Sequence, residues 1–338
     1  MTGSQEAGTG LAAIRAEMAR QHADARHSLD AAAAMAGRVA DSVRRTGRLR
    51  LVGMGGSHCV NRCAEAVLRG HGIDAAAVVA SEALYAPFPS GPATTILTSQ
   101  SGGSAEIVRF LERGDLAECF GLTLDGDSHL ARAVPSLTGH GGPEKAYAAT
   151  RSLTISIALL AALAEALGHR QDALRAVLDA PVTVPVAPAI ATLRGAHAVV
   201  FSARTALNGI AEAGALGLLE LARVPGFALE GGQFRHGPVE ALAPGFGVVL
   251  MRADDEAGRL LPGIAAICVD AGVTPVVFDA GDGAPIAGCV TLRFPPARGF
   301  AAALAMLPTL QTLLIEIART RIERVGEPLR SQKVTRVE

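Results

Sequence analysis

The sequence holds no tryptophan, two tyrosines and 4% aromatics overall, and its net charge is −1. A chain so close to neutral carries no basic footprint for nucleic acid or for an anionic membrane surface. Its five cysteines (Cys59, Cys63, Cys119, Cys268, Cys289) are an odd, scattered set. Cys59 and Cys63 are spaced for one helix face, but no second pair with zinc spacing follows, so they are read as packing residues of a reducing compartment, with no metal. No basic-then-apolar segment opens the chain, so no signal peptide is expected. The apolar run Ile155 to Ala164 falls well short of the ~18–20 residues of a membrane span and is read as buried helix. No membrane contact, no nucleic-acid partner and a cytoplasmic location are the expectation. What is abundant is alanine, glycine (38 residues) and apolar side chains (49%), the composition of a soluble globular enzyme.

At 338 residues, length predicts about two domains. Residues 1–10 are small and polar and are expected to fray; Leu11 to Arg45 carries helical spacing, giving an N-terminal helical segment over 1–45. Strands are expected at Leu49–Val52, Ala76–Ala80, Thr94–Thr98 and Cys119–Leu124, alternating with helices at His58–Arg69 and Ala105–Arg113, and a long helix at Pro143–Leu167. That alternation argues for a parallel sheet covered on both faces, a first unit over 46–180. After a Pro- and Val-rich linker (Asp179 to Ala187) the pattern starts over. Strands follow at Val199–Phe201, Gly247–Met251 and Pro275–Phe278, with helices at Ala206–Leu221, Glu256–Ala271 and Ala301–Arg324, a second unit over 190–325 and a tail over 326–338. The main strands of the halves match at an offset of about 150 residues, which reads as an internal duplication.

The chemistry gathers where strands end. Thr98-Ser99-Gln100-Ser101-Gly102-Gly103-Ser104 follows an apolar strand and opens a helix, so hydroxyls, backbone N–H groups and a positive helix end converge. A phosphate suits that arrangement; a Ser/Gly-rich surface turn has the same composition. A second turn, Gly55-Gly56-Ser57, lies beyond the end of another strand, where ligands bind in open α/β folds, and its glycines let backbone approach a ligand closely. Gly53-Met54-Gly55 is followed by His58 where a dinucleotide fingerprint needs glycine, and no Gly-Lys-Ser/Thr ending appears, so a monophosphate fits better than a pyrophosphate. The matching stretch of the second half, Arg252-Ala253-Asp254-Asp255, is a poor phosphate cradle, and that copy is read as having lost the role.

The run Leu97 to Ser104 resembles the phosphate loop of sugar isomerase (SIS) domains, and two such domains in tandem resemble the isomerase half of glucosamine-6-phosphate synthases. The resemblance covers about residues 45–338 and implies an α/β chain of two tandem SIS domains, each a three-layer αβα sandwich of flavodoxin-like type. It implies phosphate-binding roles for Ser57, Ser99, Gln100, Ser101 and Ser104, with Gly55, Gly56 and Glu144 as further substrate-binding residues. Glu144 stands seven residues before Arg151 in a segment matching the family's Glu-x-x-Val-Ala-x-Thr-Lys, with Tyr147 for the valine and Arg151 for the lysine. Glu220, sixteen residues before His236, matches the spacing of the family's proton-transferring glutamate and ring-opening histidine. In that family the histidine comes from the neighbouring subunit, which implies a homodimer. Lys333, five residues from the end, matches a tail lysine that forms a Schiff base with the open-chain ketose. As isolated residues, Glu220 and Lys333 equally suit solvated charges and His236 a turn former.

The chain departs from the synthases too. No glutaminase domain is expected, and Met1-Thr2 offers no cysteine nucleophile. Gly217 stands where they have a lysine, Ala213 replaces an acidic residue, and Pro328-Leu329-Arg330 replaces a Pro-Arg pair. The resulting expectation is a phosphosugar isomerase or deaminase acting without cofactor on an amino-sugar 6-phosphate of glucosamine-6-phosphate type. A deglycase of fructosyl amino acid 6-phosphates, which the stretch Phe234 to Glu240 resembles, a plain aldose–ketose isomerase and a non-catalytic sugar-phosphate-binding module are the alternatives.

Overall fold

The computed structural model describes residues 9–335 apart from 90, 114 and 115. The expectation for residues 1–10, the Met1-Thr2 start and the last three residues of the tail fall wholly or partly outside that range. Thr9 and Gly10 are already helical, against the expected fraying: a Cβ on Gly10 would lie 2.6 Å from the Gly326 carbonyl carbon, so the helix start is packed on the chain's end.

Among the described residues ten strands form two five-stranded parallel sheets. The first contains β1 (Arg48–Gly53), β2 (Asp74–Val79), β3 (Thr94–Thr98), β4 (Cys119–Thr123) and β5 (Ser136–Thr138), in the order β2-β1-β3-β4-β5. The second contains β6 (Ala198–Ala203), β7 (Gly226–Glu230), β8 (Phe246–Arg252), β9 (Val276–Asp279) and β10 (Val290–Arg293), in the order β10-β9-β8-β6-β7. Read from its other edge, the second order repeats the first. Every pairing is parallel, as apolar strands joined by helical crossovers require.

Two helices set the active end of the molecule. Gly55–Gly70 follows β1 and Ala206–Ala222 follows β6. They cross closely because Gly209 has no side chain: a Cβ there would lie 2.3 Å from the Cys59 carbonyl oxygen. The crossing is antiparallel, since Leu216, further along its helix, reaches back to Gly55, whose Cβ would lie 3.9 Å from Leu216 Cδ2. Glu220, one turn beyond Leu216, is thereby carried to the start of the other helix.

Several expected boundaries move. The helix expected from Pro143 begins only at Arg151, and 143–150 is a loop without regular structure. The loop is held by Glu144, whose carboxylate takes the backbone N–H groups of Thr150 (2.9 Å) and Ser152 (3.3 Å) at the helix start. The helix itself, Arg151–Ala166, contains the apolar run and is buried along nearly its whole length. Ser202 and Ala203 belong to β6 and Arg252 to β8, so both strands run past their expected ends at Phe201 and Met251. The expected Glu256–Ala271 helix divides into a short 3-10 turn, Gly258–Leu260, and the helix Leu261–Asp270. The last long helix is Gly299–Arg319; among the described residues it is the one helix long and apolar enough to cross a membrane, and 83% of its apolar window is buried in the core.

Candidate active site

A cavity of about 370 Å³ opens at the carboxyl ends of β1 and β3, lined by both predicted turns, by Tyr147 to Ser156, by Leu216 and Glu220, and by the tail from Ser331 to Thr335. The structure thus brings Ser57, Ser99, Gln100, Ser101, Ser104, Gly55, Gly56, Glu220 and Lys333 to one place.

Gly55 and Gly56 are the first residues of the helix Gly55–Gly70, not a free turn before it, and Ser57 sits in its first turn. Gly55 has φ +50°, a region that suits glycine. A Cβ on Gly56 would lie 3.0 Å from Leu153 Cδ2, so a side chain there would crowd the cavity floor.

The loop after β3 is fixed from behind. The Ser99 N–H donates to the Leu122 carbonyl (2.9 Å), and the Gln100 carbonyl accepts from the Leu124 N–H (3.0 Å) and the Thr123 hydroxyl (3.2 Å). Gly102, at φ +58°, turns the chain against Ser128, where a Cβ would lie 2.2 Å from Oγ. Ser104 is the N-cap of the helix Ala105–Glu112, yet its hydroxyl makes no cap bond and lies 3.3 Å from the Ser99 hydroxyl. The loop therefore presents hydroxyls and amides already oriented, with their fixed side anchored to protein.

Lys333 reaches in from the tail and donates to Glu144 Oε2 (3.0 Å) and the Tyr147 carbonyl (3.4 Å). Glu144 lies beneath the cavity floor and also accepts from the hydroxyls of Ser152 (2.6 Å) and Thr150 (3.0 Å). Burial acts to raise its carboxyl, but the Lys333 charge and the hydrogen bonds from Ser152, Lys333 and Thr150 outweigh it and hold the group below the usual range. Glu220 is the opposite case. Burial pushes its carboxyl up, Lys333 pulls it back, Glu144 adds to the rise, and the result is a pKa of about 7. Two carboxylates around one ammonium are driven apart, one kept as a fixed anion and one poised to exchange a proton near neutrality.

His236 does not join them. It lies exposed just after the helix Gly231–Arg235, its N–H donating to the Gln233 carbonyl (3.1 Å), away from the cavity of its own chain. The counterpart of the phosphate loop in the second half has a different use. Arg252 is buried and paired with Asp279 (Nε to Oδ1, 2.6 Å), and Asp255 accepts from the Gly258 N–H (2.7 Å) and the Thr205 hydroxyl (3.3 Å). Burial pushes the thiols of Cys59 and Cys63 up to about 12. Among the described residues no group of three His, Cys, Asp or Glu side chains is placed to hold a metal ion.

Glu106 and the contacts of the tail went unread in the sequence. Glu106, 7% exposed, lines the cavity with its Oε2 unpartnered. Tyr147 bonds Ser331 through their hydroxyls, and the Thr335 carbonyl accepts the Ala105 N–H (3.0 Å), so the tail is tied at two points across the mouth. An acid in the first turn of an expected helix was a signal for Glu106; nothing local marks the tail contacts. Gly217 and Ala213 line a small apolar recess beside Glu220, and a Cβ on Gly217 would lie 2.8 Å from Leu314 Cδ1.

No protein-family model matches the chain. Among curated proteins it is 29% identical over 244 residues to the glutamine–fructose-6-phosphate aminotransferase (isomerizing) of Pyrobaculum aerophilum, covering 65% of this chain and 40% of that one. It is 27% identical to the enzyme of the same name from Aeropyrum pernix, over 89% of this chain and 53% of that one. The chain thus spans about half or less of these relatives. Among solved structures it superposes on the C-terminal domain of a glucosamine-fructose-6-phosphate aminotransferase from Francisella tularensis with a TM-score of 0.82, at 18% identity, covering 97% of this chain and all of that one (100%). Tagatose-6-phosphate ketose/aldose isomerase from Escherichia coli (0.76, 20% identity, 93% and 96% covered) and glucosamine-6-phosphate deaminase from Thermotoga maritima (0.74, 18% identity, 95% and 99% covered) superpose as well. The chain has the phosphosugar-isomerase fold that these structures share.

Proposed function

We propose that the chain is a phosphosugar isomerase of the SIS type, acting as an isomerising deaminase on an amino-sugar 6-phosphate of glucosamine-6-phosphate type. The observation that carries the reading is Glu220, a carboxyl with a pKa of about 7 facing the same cavity as the Ser99 to Ser104 loop. Ser57, Ser99, Gln100, Ser101 and Ser104 hold the phosphate, and their binding energy fixes the reacting carbons against Glu220. Glu220 as carboxylate takes a proton from C2 of the open-chain sugar and returns it at C1, one group serving one face of the enediol or enamine. A positioned acid–base group of matched pKa contributes about 10²–10⁴-fold. Water then completes release of ammonia.

The two sheets of one strand order support a duplication into two SIS domains, 46–180 and 190–325, of which the first anchors phosphate and the second supplies Glu220. His236 opens the sugar ring from a second copy of the chain in a homodimer. Its exposure, together with the exposed Leu219 and Phe227 close to Glu220 in sequence, fits such a face.

A second reading is favoured by the contacts of one side chain. Lys333 Nζ is taken up by Glu144 Oε2 at 3.0 Å and by the Tyr147 carbonyl at 3.4 Å, and an imine with a sugar carbonyl requires both contacts to break. A deglycase of fructosyl amino acid 6-phosphates, whose substrate already carries its amine at C1, needs no imine from Lys333. Purified protein incubated with glucosamine-6-phosphate and with fructosyl amino acid phosphates, with ammonia, free amino acid and ketose phosphate scored separately, decides between them; absence of all three products would remove the enzymatic reading.

A further inference from the structure

A second cavity, about 620 Å³ and separate from the site above, lies at the opposite, amino-terminal edge of the first sheet. It is lined by the starts of β1, β3 and β4, by the loop carrying Pro87, Phe88 and Pro89, and by Phe110. Arg45, Arg48, Arg50 and Arg113 face it.

Arg50 is the anomaly. It stands on β1 with β2 and β3 on either side, opposite Ala76 and Thr95, a position that apolar side chains normally fill. Its side chain is 15% exposed, and its Nε is buried without a hydrogen-bond partner. Among the described residues the one carboxylate paired with it, Asp74, is 3.9 Å away and already takes Arg48 Nε at 3.0 Å. Burial and the like charge of Arg48 work against its charge, with Asp74 opposing them. Arg45 is satisfied by both oxygens of Glu118, each at 2.8 Å, and Arg113 has no ion pair among the described residues. Among the described residues the four arginines face two carboxylates, Glu118 and Asp74, taken by Arg45 and Arg48; Arg50 only shares Asp74, at 3.9 Å, and Arg113 is exposed. A largely buried guanidinium whose Nε is unpartnered and whose one carboxylate is distant and shared is costly, and an anionic ligand relieves that cost.

The walls define the rest of the ligand. The Arg50 guanidinium lies 4.4 Å from the centre of the Phe88 ring, on one side of a ring still 45% exposed, and Phe110 and the prolines add flat apolar surface. Arg50, with only a shared and distant carboxylate, and the exposed Arg113 suit the near-dianionic charge of a phosphate ester better than one carboxylate, and a guanidinium stacked on an aromatic extends readily to a planar base. The volume falls within the about 300–1,000 Å³ of small-molecule sites. We infer that this cavity is a second, non-catalytic binding site for a phosphate ester carrying a planar ring, of nucleotide class, with Arg50 and Arg113 on the phosphate and Phe88 against the ring. The edge it occupies is the far side of the strands that carry Ser57 and Ser99, so its ligand can bias the active end only through β1 and β3.

The test uses the intact chain and AMP, adenosine and inorganic phosphate as probes in titration calorimetry. AMP is expected to bind, with adenosine and phosphate alone at least tenfold weaker. Arg50→Gln is expected to weaken AMP at least tenfold and Phe88→Ala severalfold, while a Ser99→Ala/Ser101→Ala double variant keeps AMP binding. No AMP binding at millimolar concentration overturns the proposal. So does binding lost in the double serine variant but kept in Arg50→Gln, which assigns AMP to the phosphate loop of the proposed active site. Thermal melts without ligand separate a structural arginine: Arg50→Gln is expected to melt at the wild-type temperature or above, and a clear drop also overturns the site.

Discussion

Lys333 and Glu144, 189 residues apart in the chain, meet through a 3.0 Å ion pair that closes the tail over the cavity. The pair makes one carboxylate do two jobs, since Glu144 also caps the buried helix Arg151–Ala166 through Thr150 and Ser152. Removing it therefore strikes stability and the site together. Glu144→Ala leaves an ammonium and a helix start without their acceptor and is expected to cost about 3 kcal/mol in chemical denaturation. Glu144→Gln keeps most of the hydrogen bonds and is expected to cost less than half of that while still freeing the tail; limited proteolysis near Arg330 reads the release. Equal losses in both variants would mean that the hydrogen bonds kept by the amide contribute nothing, and a tail as protected in Glu144→Gln as in wild type would mean that the ion pair with Lys333 does not hold it.

Glu220, with a pKa of about 7, sets a pH signature. As a base it works when deprotonated, so kcat/KM is expected to rise with pH and level off above about 7. Lys333 lowers that pKa and Glu144 raises it, so Lys333→Met is expected to move the limb to higher pH and Glu144→Gln to lower pH. Glu220→Gln is expected to cut turnover by 10²-fold or more. A limb that stays in place in both neighbours' variants assigns it to another group.

The same group sets stability against function. Its folded pKa lies above the ordinary 4.5, so its contribution to stability is fully present below pH 4.5 and is lost as pH rises through about 7. At pH 8 the folded state holds a buried carboxylate it would rather protonate. Glu220→Gln is expected to raise stability there by about 1–3 kcal/mol and to change little at pH 4.5. Urea midpoints at the two pH values measure it, and an equal gain at both would contradict the linkage.

How much of this was legible beforehand follows burial. Strands β3, β4, β6, β8 and β9 are largely buried apolar runs and stood out, and β1 stood out through Leu49, Leu51 and Val52 although Arg48 and Arg50 interrupt it. The strands β5, β7 and β10 were missed because Ser136–Thr138, Gly226–Glu230 and Val290–Arg293 are short, partly exposed and free of such runs. The segment 143–150 looked helical from its Ala, Glu and Lys content, but Glu144 turned back onto the helix start, a contact that no local pattern encodes. The phosphate loop was legible from its own residues. The meeting of Glu220 with that loop was not, since it depends on how tightly Gly209 lets two helices cross.

Two neighbouring glycines test that loop as a cradle. Gly102 needs φ +58°, and a Cβ added there would come within 2.2 Å of Ser128 Oγ, whereas the nearest atom to a Cβ on Gly103 is the Ser101 carbonyl oxygen at 3.8 Å. Gly102→Ala is expected to displace the Ser101 and Ser104 hydroxyls and raise KM for the sugar phosphate at least tenfold, with a smaller effect on kcat. Gly103→Ala is expected to leave both near wild type. Comparable damage from both substitutions would show that the loop does not hold the phosphate in a defined geometry.

His236 is exposed in its own chain and outside the cavity that holds Glu220, so the dimer reading makes a demand on mixed assemblies. If each cavity takes Glu220 from one subunit and His236 from the other, Glu220→Gln and His236→Ala homodimers are each nearly inactive. In a mixed dimer one cavity carries both substitutions and the other carries neither, which rebuilds one intact site. Random reassociation of equal amounts forms mixed dimers as half of the population, each with one good site, so activity is expected to recover to about a quarter of wild type. With Glu220 and His236 acting within one chain, every cavity in the mixture would lack one of them and no activity would return. The same mixing done with Glu220→Gln and Lys333→Met, both of which line one chain's cavity, is expected to give no more than the mean of the two parent activities and serves as the control.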